Sequence, residues 1–144
     1  MKLLLDSHAL IWFLEDDPKL TVAARDAIED AANERWVSTA SGWEMAIKSQ
    51  IGKLVLPRPF EVLFPGALEA HGFFILPIQP RHLHRYHALP LHRRDPFDWL
   101  LVAHALADGF AVVGNDAAFD AYGVTRRWWR RSPPRDGRAG HFKS

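Results

Sequence analysis

The 144-residue sequence contains no cysteine, and its longest uncharged apolar stretch near the N-terminus is about half of the roughly 20 residues that a membrane-spanning helix requires. Disulfide bonds and thiolate zinc sites are therefore excluded, and the lack of cysteine is consistent with a reducing compartment. The opening MKLLLD is a poor signal peptide because Asp6 interrupts its apolar run after three leucines. We therefore expect a cytoplasmic protein.

Two motifs of phosphate chemistry are also absent. The sequence has no G-x-x-x-x-G-K-[ST], which excludes a P-loop nucleotidase. An enzyme that forms an aspartyl-phosphate would need a D-x-D pair, with Asp6 as its nucleophile. His8 occupies the position of the second aspartate, which argues against that alternative.

Charge is distributed unevenly along the chain. Residues 1–125 carry 11 basic and 16 acidic side chains, a net charge of −5, whereas residues 126–144 carry seven basic and one acidic, a net charge of +6. An acidic body favours cations and a basic end favours polyanions. We predict one folded domain over residues 1–129 and a basic, disordered tail over residues 130–144.

Short apolar runs alternate with helical patterns along this domain. The apolar runs predict buried strands at residues 2–5, 35–38, 73–78 and 110–113. Helices are predicted at about residues 8–14, 20–32, 41–51, 59–70, 80–88 and 96–108. This alternation is typical of an α/β fold with a mainly parallel central sheet.

Four acidic residues lie where the carboxyl ends of these strands should meet, namely Asp6, Glu44, Asp98 and Asp116. Open α/β sheets bind ligands at that edge, so we expect the four side chains to converge. Crowded carboxylates repel one another, and one takes up a proton unless a cation compensates. Carboxylate oxygens with retained waters are the ligands that Mg²⁺ or Mn²⁺ prefers. The pattern therefore predicts that Asp6 is a metal ligand.

Each acid also has a structural alternative. Glu44 follows Ser41 by three residues, which is the spacing of a capping box. Asp95 precedes a proline and reads as a helix N-cap. The helix dipole alone would favour Asp98 in a first turn, and Asp116 could cap a short helix over AAFDAYG.

Histidines offer a second possible metal site in the stretch RHLHRYHALPLH, at His82, His84, His87 and His92. This spacing could hold zinc, but without cysteine we favour a partly solvated helix face. His8 and His104 lie in apolar helices, where they could approach the acids or simply be accommodated in the fold. Lys48 follows Glu44 by one turn, which predicts an i,i+4 ion pair.

Four segments together resemble a known family: LLLDSHALIWFL, VSTASGWEMAIKSQIGKLVLP, HRRDPFDWLLVAHAL and VVGNDAAFDAYGV. Over roughly residues 2–129 the sequence resembles PIN-domain proteins, and more narrowly the VapC-type toxins of type II toxin–antitoxin pairs. The resemblance implies a three-layer α/β/α fold and an endoribonuclease that depends on Mg²⁺ or Mn²⁺. The family's acidic positions fall on Asp6, Glu44, Asp98 and Asp116, and Asp95 matches an additional acid.

The resemblance also implies a reaction and partners. The reaction is hydrolysis of an RNA phosphodiester that leaves a 5′-phosphate and a 3′-hydroxyl. Asp6 and Asp116 are expected to bind metal directly, and Glu44 and Asp98 directly or through water. The implied partners are a second copy of the chain and an antitoxin whose C-terminal segment lies near the acids. The alternatives are an RNA- or protein-binding module whose acids are only helix caps, and an Mg²⁺-dependent phosphoryl-transfer enzyme.

Two positions depart from the family pattern. Relatives often carry arginine after the DPFD segment, where this sequence has Trp99, so a contact with RNA or a partner is expected to differ. Relatives often carry threonine or serine two residues before the last aspartate, where this sequence has Gly114. The missing hydroxyl predicts weaker metal binding. Neither change removes a ligand.

Two further segments are candidate binding surfaces. Basic and aromatic side chains that could bind RNA phosphates and stack on bases alternate at Arg126, Arg127, Trp128, Trp129, Arg130 and Arg131. The tryptophans could instead complete the core. Residues 9–14 are apolar on every side of a predicted helix, which leaves Trp12 or Phe13 to bind a partner peptide unless neighbouring helices bury them.

Overall fold

The computed structural model describes residues 1–90, 95–114, 119 and 125–127. Within these residues the centre of the fold is an all-parallel sheet of five strands, in the order β3-β2-β1-β4-β5. The strands are β1 (Lys2–Leu5), β2 (Glu34–Ser38), β3 (Phe73–Leu76), β4 (Ala111–Val113) and β5 (Arg126–Arg127). The predicted α/β fold with a parallel sheet is confirmed.

Helices connect β1 to β2, β2 to β3 and β3 to β4. They are α1 (Ser7–Leu14), α2 (Val22–Glu29), α3 (Thr39–Gln50), α4 (Phe60–Val62), α5 (Leu68–Ala70), α6 (Pro80–Ala88) and α7 (Pro96–Asp108), and a π-helical segment at Leu63–Ala67 joins α4 to α5. Among the described residues, no helix is both long and apolar enough to cross a membrane.

Two cores cover the two faces of the sheet. On β1, Leu3 and Leu5 pack on one face with residues of α1, α2 and α3, whereas Leu4 packs on the other face with residues of α7. Successive side chains of a strand point to opposite faces, so three consecutive leucines can all be fully buried. Helices on both faces make the fold three-layered.

Several predicted boundaries were wrong for identifiable reasons. The single helix predicted over residues 59–70 is broken at Phe64, because a residue that precedes proline disfavours helical dihedrals. The helix predicted over 20–32 begins only after Thr21, whose hydroxyl caps it by accepting from the Ala24 amide. Strand β3 ends before Pro77, which has no amide hydrogen to donate. Strand β5 was not predicted because two arginines carry no apolar pattern.

Candidate active site

The order of the strands creates a crevice at the carboxyl ends of β1 and β4. From β1 the chain crosses to β2 on one side, and it later returns to place β4 on the other side. At such a switch point the connections that leave neighbouring strands run in opposite directions, which leaves a space where ligands bind. The Asp6 amide still donates to the Val113 carbonyl at 3.1 Å, so Asp6 lies at the edge of this crevice.

Asp6 is fixed at the start of α1. It is 7% exposed, and its Oδ1 accepts a hydrogen bond from the Ala9 amide at 2.8 Å, which makes it the N-cap of that helix. Its Oδ2 lies against Gly114, where an added Cβ would approach to 2.5 Å. The glycine that departs from the family pattern is therefore the residue that leaves room for the Asp6 carboxylate.

Glu44 is buried on α3, and both of its carboxylate oxygens have partners. The Ser7 hydroxyl donates to Oε1 at 2.6 Å and the Lys48 ammonium donates to Oε2 at 2.7 Å. The predicted i,i+4 pair between Glu44 and Lys48 is confirmed. The hydrogen bond with Glu44 raises the pKa of Lys48 despite partial burial, and the charges of Asp95 and Asp98 contribute to the rise. Lys48 is therefore a cation at the centre of an acidic group.

The capping-box interpretation of Glu44 was wrong. Helix α3 begins three residues earlier than that interpretation requires, with Ser38 as its N-cap accepting from the Ala40 amide at 2.9 Å. The Ser41 hydroxyl is buried and has no hydrogen-bond partner among the described residues. Helix capping therefore does not explain the position of Glu44 on α3.

Asp95 and Asp98 lie at the start of α7. Asp95 is exposed and its Oδ1 accepts from the Phe97 amide at 2.8 Å, so the structure has the N-cap that the sequence predicted. Asp98 is half-buried in the first turn, where the helix dipole favours a negative charge. The roles of Asp95 as an N-cap and of Asp98 as a first-turn acid are compatible with ligand binding by both residues at the same edge of the sheet.

These elements together enclose one space, which we call the acid cavity. It has a volume of about 320 Å³ and is lined by Asp6, Ser7, His8, Glu44, Lys48, Asp95, Asp98 and Phe119. The structure therefore brings three of the four predicted site acids and Asp95 to one cavity. Asp116 lies outside the described residues. Sequence analysis missed Ser7, and its position directly after Asp6 was the available signal.

The donor chemistry of the acid cavity suits a hard divalent cation. Its described lining contains four carboxylates and one ammonium group, so negative charge is in excess. Oxygen ligands with retained waters are what Mg²⁺ and Mn²⁺ prefer. Among the described residues, however, no three His, Cys, Asp or Glu side chains are grouped closely enough to hold an ion by themselves. The residues fit a hydrated ion rather than a preformed, fully protein-ligated one.

The histidine cluster forms the partly solvated helix face that we expected at His84 and His87, but not at His82. His82 is fully buried; its Nδ1 accepts from the Gln79 amide at 2.9 Å and its Nε2 lies 2.7 Å from Asp108 Oδ2. Asp108 also accepts two hydrogen bonds from Arg81, at 2.9 and 3.0 Å. His84 and His87 are exposed, and His92 lies outside the described residues.

His104 is also fully buried, and it belongs to the same network. Its Nε2 lies 2.8 Å from the Ser38 hydroxyl, and its ring meets the His82 ring edge to face with centroids 4.2 Å apart. Burial is the main cause that lowers the pKa of His104 to about 4, and the neighbouring His82 adds to it. We call Ser38, Arg81, His82, His104 and Asp108 the closed cluster. His104 does not line the acid cavity.

Two aromatic side chains next in sequence to Glu44 and Asp98 contact each other. Trp43 precedes Glu44 and is 58% exposed, and its ring meets that of Phe97 edge to face at 5.1 Å. Trp99, by contrast, packs against Tyr86 of α6 with ring centroids 5.4 Å apart. It does not line the acid cavity in place of the family's arginine.

The apolar segment of α1 is partly covered. Trp12 and Phe13 are half-buried, and the Arg25 guanidinium lies 5.3 Å from the centroid of the Phe13 ring. A groove of about 270 Å³ nevertheless opens beside this end of the helix. We call it the α1 groove, and its lining is Phe13, Leu14, Pro57, Arg58, Leu63, Ala67 and His71.

Only the first part of the basic segment is described. Arg126 lies in β5 and its Nη1 donates to the Gly114 carbonyl at 3.2 Å, so it joins β5 to the residue that directly follows β4. Arg127 also lies in β5. Trp128, Trp129, Arg130 and Arg131 lie outside the described residues.

Comparisons with known proteins agree with this architecture. The family model of the PIN domain matches residues 3–124. Similar solved structures include VapBC2 from Rickettsia felis bound to a promoter DNA fragment, with a TM-score of 0.64, 14% identity, and coverage of 88% of this chain and 98% of that chain. VapBC-1 from nontypeable Haemophilus influenzae has a TM-score of 0.60, 16% identity, and coverage of 90% and 98%.

A toxin–antitoxin complex from Klebsiella pneumoniae is similar as well, with a TM-score of 0.55, 17% identity, and coverage of 82% of this chain and 89% of that chain. No curated protein matches the sequence. At these identities the likeness to solved structures concerns the fold.

Proposed function

Because the chain belongs to the PIN-domain family, we propose that it is a divalent-metal-dependent endoribonuclease and the toxin of a toxin–antitoxin pair in the cytoplasm. The observation that supports this most directly is the acid cavity, where side chains 92 residues apart in sequence, Asp6 and Asp98, meet at the switch point of the sheet. Structures named as toxin–antitoxin or VapBC assemblies share the fold, which supports the biological setting.

Asp6, Glu44, Asp98 and Asp116 would hold Mg²⁺ or Mn²⁺, with Asp6 and Asp116 as direct ligands. A bound ion of this kind lowers the pKa of a water molecule and stabilises charge on the attacking and leaving oxygens of a phosphodiester. The products would carry a 5′-phosphate and a 3′-hydroxyl.

The protein's own contribution is to orient these carboxylates. The Ala9 amide fixes Asp6 from one side, and the Ser7 hydroxyl and Lys48 ammonium hold the two oxygens of Glu44. Because these partners are already in place, the carboxylates need little rearrangement before reaction.

A second candidate is a non-catalytic binding module. Two of the acids, Asp6 and Asp95, do cap helices, and capping alone would explain their presence. Asp98 separates the two proposals because the N-cap of α7 is Asp95, so capping does not explain a carboxylate at position 98.

The experiment compares cleavage of mixed RNA by the wild type and by Asp98→Asn, with Mn²⁺ or Mg²⁺ and with EDTA. We expect EDTA to abolish cleavage and Asp98→Asn to reduce it by more than the ~10–100-fold loss typical of residues that only support a metal ligand. Asp26→Asn, an equal change of charge on the exposed face of α2, is the control. Cleavage by Asp98→Asn at the wild-type rate would exclude the catalytic role of Asp98.

We propose that the chain forms a homodimer and binds an antitoxin segment in the α1 groove. The groove is lined by apolar side chains together with Arg58 and His71, which suits an amphipathic peptide. Light scattering of the protein alone and with the product of the adjacent reading frame measures both associations. A monomer that does not bind that product would contradict this proposal and leave the nuclease proposal standing.

A further inference from the structure

A second cavity adjoins the acid cavity and has the opposite balance of charge. It has a volume of about 220 Å³, and its walls include Ile11, Leu54, Lys48 and Lys53. The two cavities share Ser7, His8, Glu44 and Lys48. We call the second one the lysine cavity. Its described lining has two ammonium groups and one carboxylate, that of Glu44, which already accepts from Ser7 and Lys48.

The C-terminal end of α3 brings the two lysines together. Gly52 follows the helix with φ +77°, a left-handed conformation that glycine adopts without the penalty of a Cβ. The Gly52 amide donates to the Ser49 carbonyl at 3.2 Å and the Lys53 amide to the Lys48 carbonyl at 2.8 Å. These two bonds form a Schellman motif, which turns the chain back so that Lys53 lies beside Lys48.

The two ammonium groups differ in their environment. Lys48 is half-buried and paired with Glu44. Lys53 is exposed, and within the described residues its ammonium has no carboxylate at ion-pair distance. It also follows the helix rather than lying inside it, so no i,i+4 acid on α3 can neutralise it. Its charge is therefore available to an anion that enters from solvent.

We propose that Lys53, with Lys48, forms a binding subsite for an RNA phosphate next to the scissile one. This rests on the proposed function, because it makes the lysine cavity the continuation of the acid cavity along a single RNA strand. A polyanion that approached the acid cavity alone would meet a net negative charge. The lysine cavity supplies positive charge next to the acid cavity, because the Glu44–Lys48 pair lines both cavities.

The test measures binding of a mixed-sequence single-stranded RNA oligonucleotide by fluorescence anisotropy, in EDTA, over a series of KCl concentrations. Each phosphate contact on a single strand contributes about 0.7 to the slope of log affinity against log salt. We expect Lys53→Gln to bind several-fold more weakly and to lower the magnitude of that slope by about 0.7. Lys53→Arg, which keeps the charge, should restore the wild-type slope.

The matched control is Arg85→Gln, which removes the same charge from an exposed position on α6 that lines neither cavity. Thermal melting verifies that each variant is folded. The proposal is overturned if Lys53→Gln keeps the wild-type slope, if Arg85→Gln loses as much, or if the wild type binds RNA without salt dependence. An unchanged RNA slope combined with weaker binding of the adjacent frame's product would assign the subsite to a protein instead.

Cleavage of the same RNA by the wild type in Mn²⁺ separates this proposal from the proposed function. A wild type that does not cleave, with a reduced slope for Lys53→Gln, would retain the subsite and exclude the nuclease. A wild type that cleaves, with an unchanged slope for Lys53→Gln, would retain the nuclease and exclude the subsite.

Discussion

The closed cluster, which joins β2, α6 and α7, and the acid cavity at the carboxyl edge of the sheet contain the same kinds of side chains. Each contains carboxylate, histidine, hydroxyl and cationic groups, but in different proportions. In the closed cluster one carboxylate, Asp108, is shared by Arg81 and His82. In the acid cavity four carboxylates surround one lysine.

The proportion of anionic to cationic side chains determines whether the charges of each region are compensated. The hydrogen bonds from Arg81 and then His82 hold the pKa of Asp108 well below its usual range, so the closed cluster is stabilised as it stands. The acid cavity has excess negative charge in its described lining, and we expect a bound cation to relieve the repulsion between its carboxylates. In the closed cluster the one carboxylate has two cationic or histidine partners, whereas the described lining of the acid cavity has three more carboxylates than ammonium groups.

The largest effect expected is the loss of stability in acid that His104 causes. Its pKa is about 4 in the folded protein and 6.5 when unfolded, so the unfolded state binds more protons between these values. Stability is therefore fully present above about pH 6.5 and falls as the pH decreases towards 4, by on the order of 3 kcal/mol. Asp108 acts in the same direction at lower pH. Urea unfolding at pH 7, 5.5 and 4 measures the loss.

His104→Leu should flatten this pH dependence, and His84→Gln, at an exposed position on α6, should leave it unchanged. If His104→Leu were to retain the wild-type dependence between pH 6.5 and 4, the closed cluster would not be the acid-sensitive region of the fold.

Gly114→Ser tests the crowding of the acid cavity directly. A Cβ at this position would lie 2.5 Å from Asp6 Oδ2, so the carboxylate must move and its cap of α1 must weaken. We expect a loss of about 1–3 kcal/mol in the free energy of unfolding, typical of overpacking. Gly66→Ser is the control, because a Cβ there meets nothing within 4 Å. Equal losses of stability in the two variants would mean that the Asp6 carboxylate moves aside without a cost in free energy.

Asp98→Asn should give the smallest change in stability, and in EDTA the change should be stabilising. In EDTA the variant should be more stable than the wild type by up to about 1 kcal/mol, because relief of repulsion exceeds the lost interaction with the dipole of α7. Mg²⁺ should stabilise the wild type more than the variant. Thermal melting with EDTA and with Mg²⁺ checks both. Lower stability of Asp98→Asn in both buffers would identify Asp98 as a purely structural first-turn acid.

The convergence of Asp6, Glu44 and Asp98 on one cavity was predictable from the sequence, because the ends of the strands determine where the site lies. Buried strands appear in a sequence as apolar runs, and the carboxyl ends of parallel strands lie at one edge of the sheet. The i,i+4 pair of Glu44 and Lys48 was predictable for the same local reason. Asp116 lies outside the described residues, so its place in the site stays a prediction.

The closed cluster was not predictable in this way. His82 and Asp108 are 26 residues apart on different helices, and no local spacing signals their contact. The correct cap of α3 was missed because Ser38 and Ser41 are both plausible N-caps, and only the length of β2 decides between them. Sequence patterns thus indicated the open site better than the buried one, since the open site is defined by element ends and the buried one by packing.

The position of β4 has a consequence for protein synthesis. Strand β1 is the central strand, and residue 3 pairs on one side with residue 35 and on the other with residue 111. A ribosome-bound chain that has exposed only its first hundred residues can pair β1, β2 and β3, but it has an open edge where β4 belongs. Phe119, which lines the acid cavity, has not yet been synthesised, so the crevice at the switch point is incomplete. A growing chain with this strand order therefore completes the crevice at the switch point only after β4 has left the ribosome.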